Sequence, residues 1–353
     1  MFAGRISRLR TDVPSLRATP LFMRHAPHAG DLAAALALRR YCRAHGPFAV
    51  VHSHSTKAGL LGRVGLLGYP AVRVYTPHAP LTLNPSLGAA QRVAARGYER
   101  VLAAVTDGVI LVSPEELEHV QSLGISPRKL FLVPNGISVI PAPQRTRARR
   151  AVRKALGLAG DSVCVGFVGR LAPQKNLKVL LDAFARLVAD IPKSTRVAIV
   201  GGGPMEARLR AQSDWLGLNG SVLWLGEREG TEVMPAFDIF ALSSDYEGLP
   251  YVLLEAMAAE LPIVTTRVGG VRLLAESGGI ASVVPPGRSD LFAEALRPLI
   301  LDRGLRLRMG RNARRKVEQF TVREMVRGTT NVYERLLSER SPTFSYATAP
   351  QGG

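Results

Sequence analysis

The chain has 353 residues, 46% of them hydrophobic, with a formal net charge of +18. That length suggests about two domains, and the apolar fraction is ample for buried cores. Two cysteines, Cys42 and Cys164, without metal-ligand spacing exclude a disulfide framework and fit a reducing cytosol. No apolar run reaches the roughly 18 residues of a membrane span, and the opening MFAGRISRLR lacks the apolar core of a signal peptide.

The charge is uneven. Residues 1–154 hold 22 Lys+Arg against 7 Asp+Glu, a balance of +15; the remainder holds 24 against 21, a balance of +3. Such asymmetry points the first half toward an acidic partner or an anionic surface. Stacking aromatics are sparse there and no nucleic-acid-binding signature occurs, so nucleic acid is not expected as a partner.

In chain order, residues 1–19 carry little pattern, and Leu21–Met23 reads as a short strand. Asp31 is placed to cap a helix through about Ala44, with Leu32, Leu36 and Tyr41 on one side. Phe48–His52 reads as a strand, followed by the turn HSHSTKAGLLGR, where Ser55 or Thr56 caps the next helix. Val72–Tyr75 is a strand ending at His78, and a helix spans about Leu87 to Ala104. On that helix Arg92, Arg96 and Arg100 fall four residues apart, with Leu87, Val93, Val101 and Leu102 expected inward. Gly108–Val112 is a strand ending at Ser113. Pro114 opens a helix whose Glu115 and Glu116 complement its dipole. Lys129–Val133 is a strand ending at Asn135.

Short, near-continuously apolar strands alternating with helices imply a parallel sheet, with ligands at the carboxyl ends of its strands. His52, His54, Ser55, His78, Ser113 and Asn135 all fall at such ends and outline one edge of a cleft.

Residues 141–154, PAPQRTRARRAVRK, read as a linker running into a basic surface helix, with the domain boundary near Pro141–Pro143. A second alternating series follows. Ser162–Val168 is a buried strand, then GRLAPQKN carries Arg170 and Lys175 on a loop, with Asn176 capping a helix to Ala189. Val197–Val200 is a strand ending in Gly201 and Gly202. That turn lacks the spacing of a dinucleotide fingerprint, so a nicotinamide-dependent oxidoreductase or epimerase is a poor fit. Val222–Gly226, Ile239–Leu242, Ile263–Thr266 and Ile280–Val284 complete the strands.

Between two of these strands lies SSDYEGLPYVLLEAMAAELPIVTTRVGG, residues 243–270. It reads as a loop bearing Glu247, then a helix from Leu249 to Ala259 with Pro250 in its first turn and Glu255 inside it. The opening amides of that helix suit an anion. Helices follow over Asp290–Leu301, Leu305–Gln319 and Val322–Leu337, and residues 341–353 read as a disordered tail.

The string S-x-x-E-G-L-P-x-x-x-L-E-A-M-A-x-x-x-P-I-V-T-T-x-x-G-G, with GRLAPQKN and VHSHSTKAGLLGR…VYTPH…VILVS…NGI, resembles the retaining glycosyltransferases of family 4, which have the GT-B fold. The resemblance covers roughly residues 20–338. It implies an α/β architecture of two Rossmann-like doubly wound domains facing across a cleft. Residues 1–140 would form the acceptor side and 141–320 the donor side, with a helix over 321–340 crossing back. It further implies that Arg170 and Lys175 clamp the diphosphate of a UDP- or GDP-linked sugar, that Glu255 holds the ribose, and that Glu247 and His78 face the transferred sugar. Gly248, Leu249, Pro250, Gly201, Gly202 and Leu223 would complete the donor site, with the base near Leu223; His54, Ser55, Ser113 and Asn135 would lie on the acceptor side.

No metal is expected, because Asp245 stands alone rather than in a D-x-D pair, and no cofactor is expected. Family members in polysaccharide and lipopolysaccharide assembly use lipid-linked acceptors, which implies such an acceptor here and a peripheral place at the inner membrane face. Two departures stand out. Ser138 follows Ile137 where an aspartate is usual, and the family's opening strand, glycine-rich turn and helix have no counterpart in Met1–Pro20. The second departure raises two alternatives: a start further upstream, or a sugar-nucleotide-binding protein with a decayed site.

Overall fold

A computed structural model describes residues 19–21, 28, 30–139, 141–275 and 279–340. All but Leu21 of the expected strand at Leu21–Met23, most of Met1–Pro20 and the tail from 341 lie outside the described residues.

Two parallel sheets organise the chain. The first holds β1 (Val50–His54), β2 (Val72–Thr76), β3 (Gly108–Leu111) and β4 (Leu130–Leu132), in that spatial order. The second holds β5 (Cys164–Val168), β6 (Arg196–Val200), β7 (Val222–Gly226), β8 (Ile239–Leu242), β9 (Ile263–Thr266) and β10 (Ala281–Val284), in the order β10-β9-β8-β5-β6-β7. Every pairing is parallel. Strands covered on both faces are apolar throughout, as in Ile239–Leu242, where all four residues are fully buried. In the second sheet the order reverses between β5 and β8. A crevice opens at the carboxyl ends of strands at such a point, so the fold itself selects where a ligand fits.

The helices connecting the first sheet are α1 (Gly30–His45), α2 (Thr56–Val64), α3 (Ala89–Ala104) and α4 (Pro114–Ser122). Around the second are α5 (Ala142–Ala155), α6 (Leu177–Leu187), α7 (Glu206–Trp215), α8 (Gly230–Val233), α9 (Tyr251–Ala258), α10 (Val271–Ala275), α11 (Ser289–Leu301) and α12 (Arg303–Val317). Last comes α13 (Val322–Arg340), whose Val332 and Leu336 pack on Val72, Val74, Ile110 and Val133 of the first sheet.

Several local expectations change. On α1 the buried residues are Ala34 and Cys42, whereas Leu32 and Leu36 face outward. Asp31 lies inside the first turn and pairs with Lys57 at 2.8 Å instead of capping from outside. On α3 the inward face carries Ala95, Glu99, Leu102 and Ala103, while Val93 and Val101 are each 71% exposed. Charge pairing sets that rotation. Glu99 meets Arg63 of α2 at 3.2 Å, both nearly buried, with Arg63 lying 3.8 Å over the Tyr75 ring. An unpaired buried charge costs more than two exposed valines, so the ion pair decides which face turns in.

Candidate active site

The loops after β5, β6 and β8 meet at the crevice. Gly201, at φ 131°, brings the β6 loop so close to the β5 loop that a Cβ there would sit 1.9 Å from the Gly169 carbonyl. Only glycine fits such an approach. Arg170 is exposed on the β5 loop, and Lys175 is half-buried below it. The Lys175 Nζ lies 2.5 Å from Glu247 Oε1, with the two side chains 18% and 10% exposed. Ser244 Oγ donates to the same oxygen at 2.8 Å, and Gln174 Nε2 reaches Glu247 Oε2 at 3.3 Å. Two of the expected site residues are thus paired with one another, and the carboxylate is held by three donors.

Asn176 does not cap α6. It adopts a left-handed conformation, φ 42°, and its Nδ2 donates to Asp245 Oδ1 at 2.7 Å. The side chain is therefore used to tie the β5 loop to the β8 loop rather than to end a helix. Helix α9 starts at Tyr251, with Pro250 as the residue before it, not in its first turn. Pro250 has ψ 124°, an extended value incompatible with a helical position. Glu255 sits one turn inside α9. Its carboxyl is raised above the ordinary range, first by burial and then by Glu229 nearby. A Cβ on Gly230 would approach Glu255 Oε2 to 3.2 Å, which puts the start of α8 against this carboxylate. Leu223 lies mid-strand in β7, paired with Ala198 and packed on the core. Beyond the strand, Glu229 and Gly230 are the residues that approach Glu255.

Across the crevice, the first sheet supplies a histidine cluster. His54 Nδ1 lies 3.0 Å from His78 Nε2, and the His52 ring lies 4.1 Å from that of His54, tilted by 34°. His52 also reaches Tyr333 Oη of α13 at 2.6 Å and Thr76 Oγ1 at 2.7 Å. Burial pushes His78 down to about 4 and His52 to about 3, and the neighbouring imidazoles add to both shifts, so the cluster is neutral at pH 7. His78 and Ala79 are both left-handed, at φ 51° and 73°. Ser55, at φ 70°, precedes α2 without capping it by its side chain, because that conformation turns the hydroxyl away from the helix amides.

Glu116 was not singled out by the sequence as more than a dipole complement. Its carboxylate is wholly buried. It accepts from the Ala79 N–H at 2.5 Å and the Val112 N–H at 3.0 Å, while Ser113 Oγ caps the helix through the Glu116 N–H. A Cβ on Gly248 would lie 2.4 Å from Glu116 Oε1, so this carboxylate touches the donor-side loop as well. Asn135 Nδ2 donates to the Leu249 carbonyl at 2.7 Å. Glu115 accepts from the amides of Gly270 and Arg272 at 3.0 and 3.2 Å. His78, Ser113, Asn135 and Glu247–Leu249 are thereby drawn to one seam. Beside it opens a cavity of about 770 Å³, lined among others by Leu83, Glu115, Tyr246, Glu247, Arg267 and Val271.

Comparison with known proteins agrees with this geometry. The family described as "Glycosyltransferase Family 4" matches residues 3–139, and "Glycosyl transferases group 1" matches residues 148–316. The UDP-Gal:alpha-D-GlcNAc-diphosphoundecaprenol alpha-1,3-galactosyltransferase of Escherichia coli is 30% identical over 276 residues, covering 76% of this chain and 70% of that protein. The D-inositol 3-phosphate glycosyltransferase of Actinosynnema mirum is 31% identical over 285 residues, covering 76% and 68%. The crystal structure of Anabaena Alr3699/HepE in complex with UDP and glucose superposes with a TM-score of 0.73 at 22% identity, over 90% of this chain and 84% of that one. Motifs, two facing parallel-sheet domains and these relatives agree: the chain belongs to glycosyltransferase family 4, has the GT-B fold and is a hexosyl-type glycosyltransferase.

Proposed function

We propose that the chain transfers a hexose from a UDP-linked donor to a lipid-linked saccharide with retention of anomeric configuration, working at the inner face of a membrane. The observation that carries this reading is the Lys175–Glu247 pair at the switch point of the second sheet, beside Arg170. When the anomeric bond breaks, negative charge grows on the leaving diphosphate. Arg170, Lys175 and the opening amides of α9 are the groups positioned to stabilise it, which requires no metal. Glu247, released from Lys175 by the diphosphate, then faces the cationic sugar. His78, neutral and hydrogen-bonded by His54, presents its other nitrogen from the acceptor side. Glu255 accepts from the ribose hydroxyls. The division of labour follows the two halves of the chain, 1–140 toward the acceptor and 141–320 toward the donor, with 321–340 returning to the first half.

A UDP-hexose donor and a diphospholipid-linked acceptor are favoured by the Escherichia coli relative, whose name specifies both. The cavity beside Glu247 suits an amphiphilic acceptor: Leu83 and Val271 offer apolar wall, and the exposed Arg267 offers a cation for a phosphate. Val93 and Val101 turn outward beside the stripe of Arg92, Arg96 and Arg100, so α3 offers exposed apolar side chains next to cations, a combination that suits a helix lying on an anionic membrane. A thermal-shift screen of sugar nucleotides tests the donor assignment. Stabilisation by UDP and a UDP-hexose supports it; stabilisation by NAD alone, or by no nucleotide, overturns it.

A further inference from the structure

A second cavity, of about 270 Å³, lies at the opposite end of the second sheet's strands. Its wall includes Asp238, just before β8, and Glu260, just before the turn into β9, so it faces the amino ends of strands whose carboxyl ends form the crevice. Arg145 and Arg149 of α5 and Arg303 and Arg306 of α12 line it too, so four guanidinium groups face two carboxylates and the formal charge is +2.

Those carboxylates do not discharge the arginines. Asp238 is shared by Arg149 at 2.5 Å and Arg153 at 2.9 Å, and also accepts from the Cys164 N–H at 2.8 Å. Glu260 takes Arg145 Nη2 at 2.7 Å, but Arg145 Nη1 is buried with no hydrogen-bond partner. Arg306 is pulled below the usual guanidinium range, first by burial, with Arg303 and Arg149 adding repulsion. Arg303 and Arg306 also occupy the first turn of a 15-residue helix capped by Asp302, whose carboxylate accepts from the Leu305 N–H, while Arg306 donates to the Leu299 and Ile300 carbonyls. One capping carboxylate against two first-turn arginines still leaves cationic charge at a helix end that attracts anions.

We propose that this cavity is a binding site for a phosphate-class anion, separate from the donor crevice. A phosphate group carries about −1.5 to −2 charges at pH 7, which matches the excess here. The planar donor forks of arginine suit its oxygens, and Arg145 Nη1 would gain the acceptor it lacks. The same chemistry is offered by a soluble phosphate compound or by a phospholipid headgroup.

Pyrophosphate is titrated calorimetrically, at constant ionic strength, into protein carrying Arg170→Ala and Lys175→Ala, which removes the donor clamp as a competing acceptor. Sedimentation with phosphatidylglycerol vesicles is run on the same protein. Arg303→Glu, exposed at the cavity mouth, should weaken binding of one probe by about tenfold or more, the effect of losing one charge-assisted contact. Arg145→Gln should act in the same direction. Arg311→Glu, exposed on the same helix and outside the cavity, should not. Loss confined to pyrophosphate assigns a soluble ligand, and loss confined to vesicles assigns a headgroup. The proposal is overturned if neither probe binds, or if Arg303→Glu has no more effect than Arg311→Glu on both.

Discussion

Glu247→Gln separates ground-state from transition-state roles because its two effects are expected to differ in sign. In the ligand-free protein the Glu247 carboxylate neutralises Lys175 at 2.5 Å and lies beside the place where a diphosphate would bind. A carboxylate and a phosphate charge roughly 8 Å apart repel by about 2 kcal/mol at an effective dielectric near 20. The crevice is open to water, which reduces this to about 1 kcal/mol, or about fivefold in Kd. Glutamine keeps the size and still accepts from Ser244, but it no longer repels the diphosphate or competes for Lys175. UDP affinity should therefore rise about fivefold while turnover falls about 100-fold or more, the scale of losing one preorganised electrostatic contact. Calorimetry with UDP and steady-state kinetics with a UDP-hexose read the two quantities. A UDP affinity that drops together with kcat would refute the reasoning and leave Glu247 as a structural anchor of the loop.

Other outcomes follow from the same geometry. Arg170→Ala and Lys175→Ala should each weaken UDP binding by about 1.5–3 kcal/mol, roughly 10- to 150-fold, and unchanged calorimetric Kd values in both would remove the clamp. Glu116→Gln turns an amide N–H toward one of the two backbone N–H groups that the carboxylate now serves. It should cost about 1–3 kcal/mol in a denaturant melt and lower kcat more than UDP affinity, since it supports Ala79 and hence His78. The depressed histidines make the protein acid-sensitive. Below pH ~6.5 the unfolded chain binds protons that His78 and His52 refuse until about 4 and about 3, so stability present above that pH is lost as the pH falls. Thermal melts between pH 7 and 4.5 should show this loss, and His52→Asn should show less of it. Val93→Asp and Arg96→Glu should each reduce sedimentation with anionic vesicles, and wild-type binding should reverse in salt; equal binding to neutral vesicles would count against α3 as a membrane face.

What the sequence made legible was whatever depends on local pattern. Apolar runs marked the strands and set His78 and Asn135 at carboxyl ends in one sheet and Arg170, Lys175 and Glu247 on loops after strands of the other; that the two sets face one another was implied by the family resemblance, not by local pattern. What it hid depends on pairing across distance. Glu116 and Glu115 sit in a first helical turn, where acids are ordinarily solvated dipole partners. Nothing local reveals that one would be buried under Ala79 and the other would cross to Gly270. The rotation of α3 was hidden for the same reason, since the buried Arg63–Glu99 pair joins residues 36 apart in sequence. Asn176 has the composition of a cap, yet a left-handed backbone and an aspartate 69 residues away claim its side chain.

The central claim is that sugar transfer occurs at the Arg170–Lys175–Glu247 crevice with retention. Proton NMR of the sugar first released when the protein hydrolyses an α-linked UDP-hexose tests it most directly, before mutarotation mixes the anomers. The account predicts the α-anomer from the wild-type protein and none above background from Lys175→Ala; a first-formed β-anomer, or release that Lys175→Ala leaves unchanged, would contradict it.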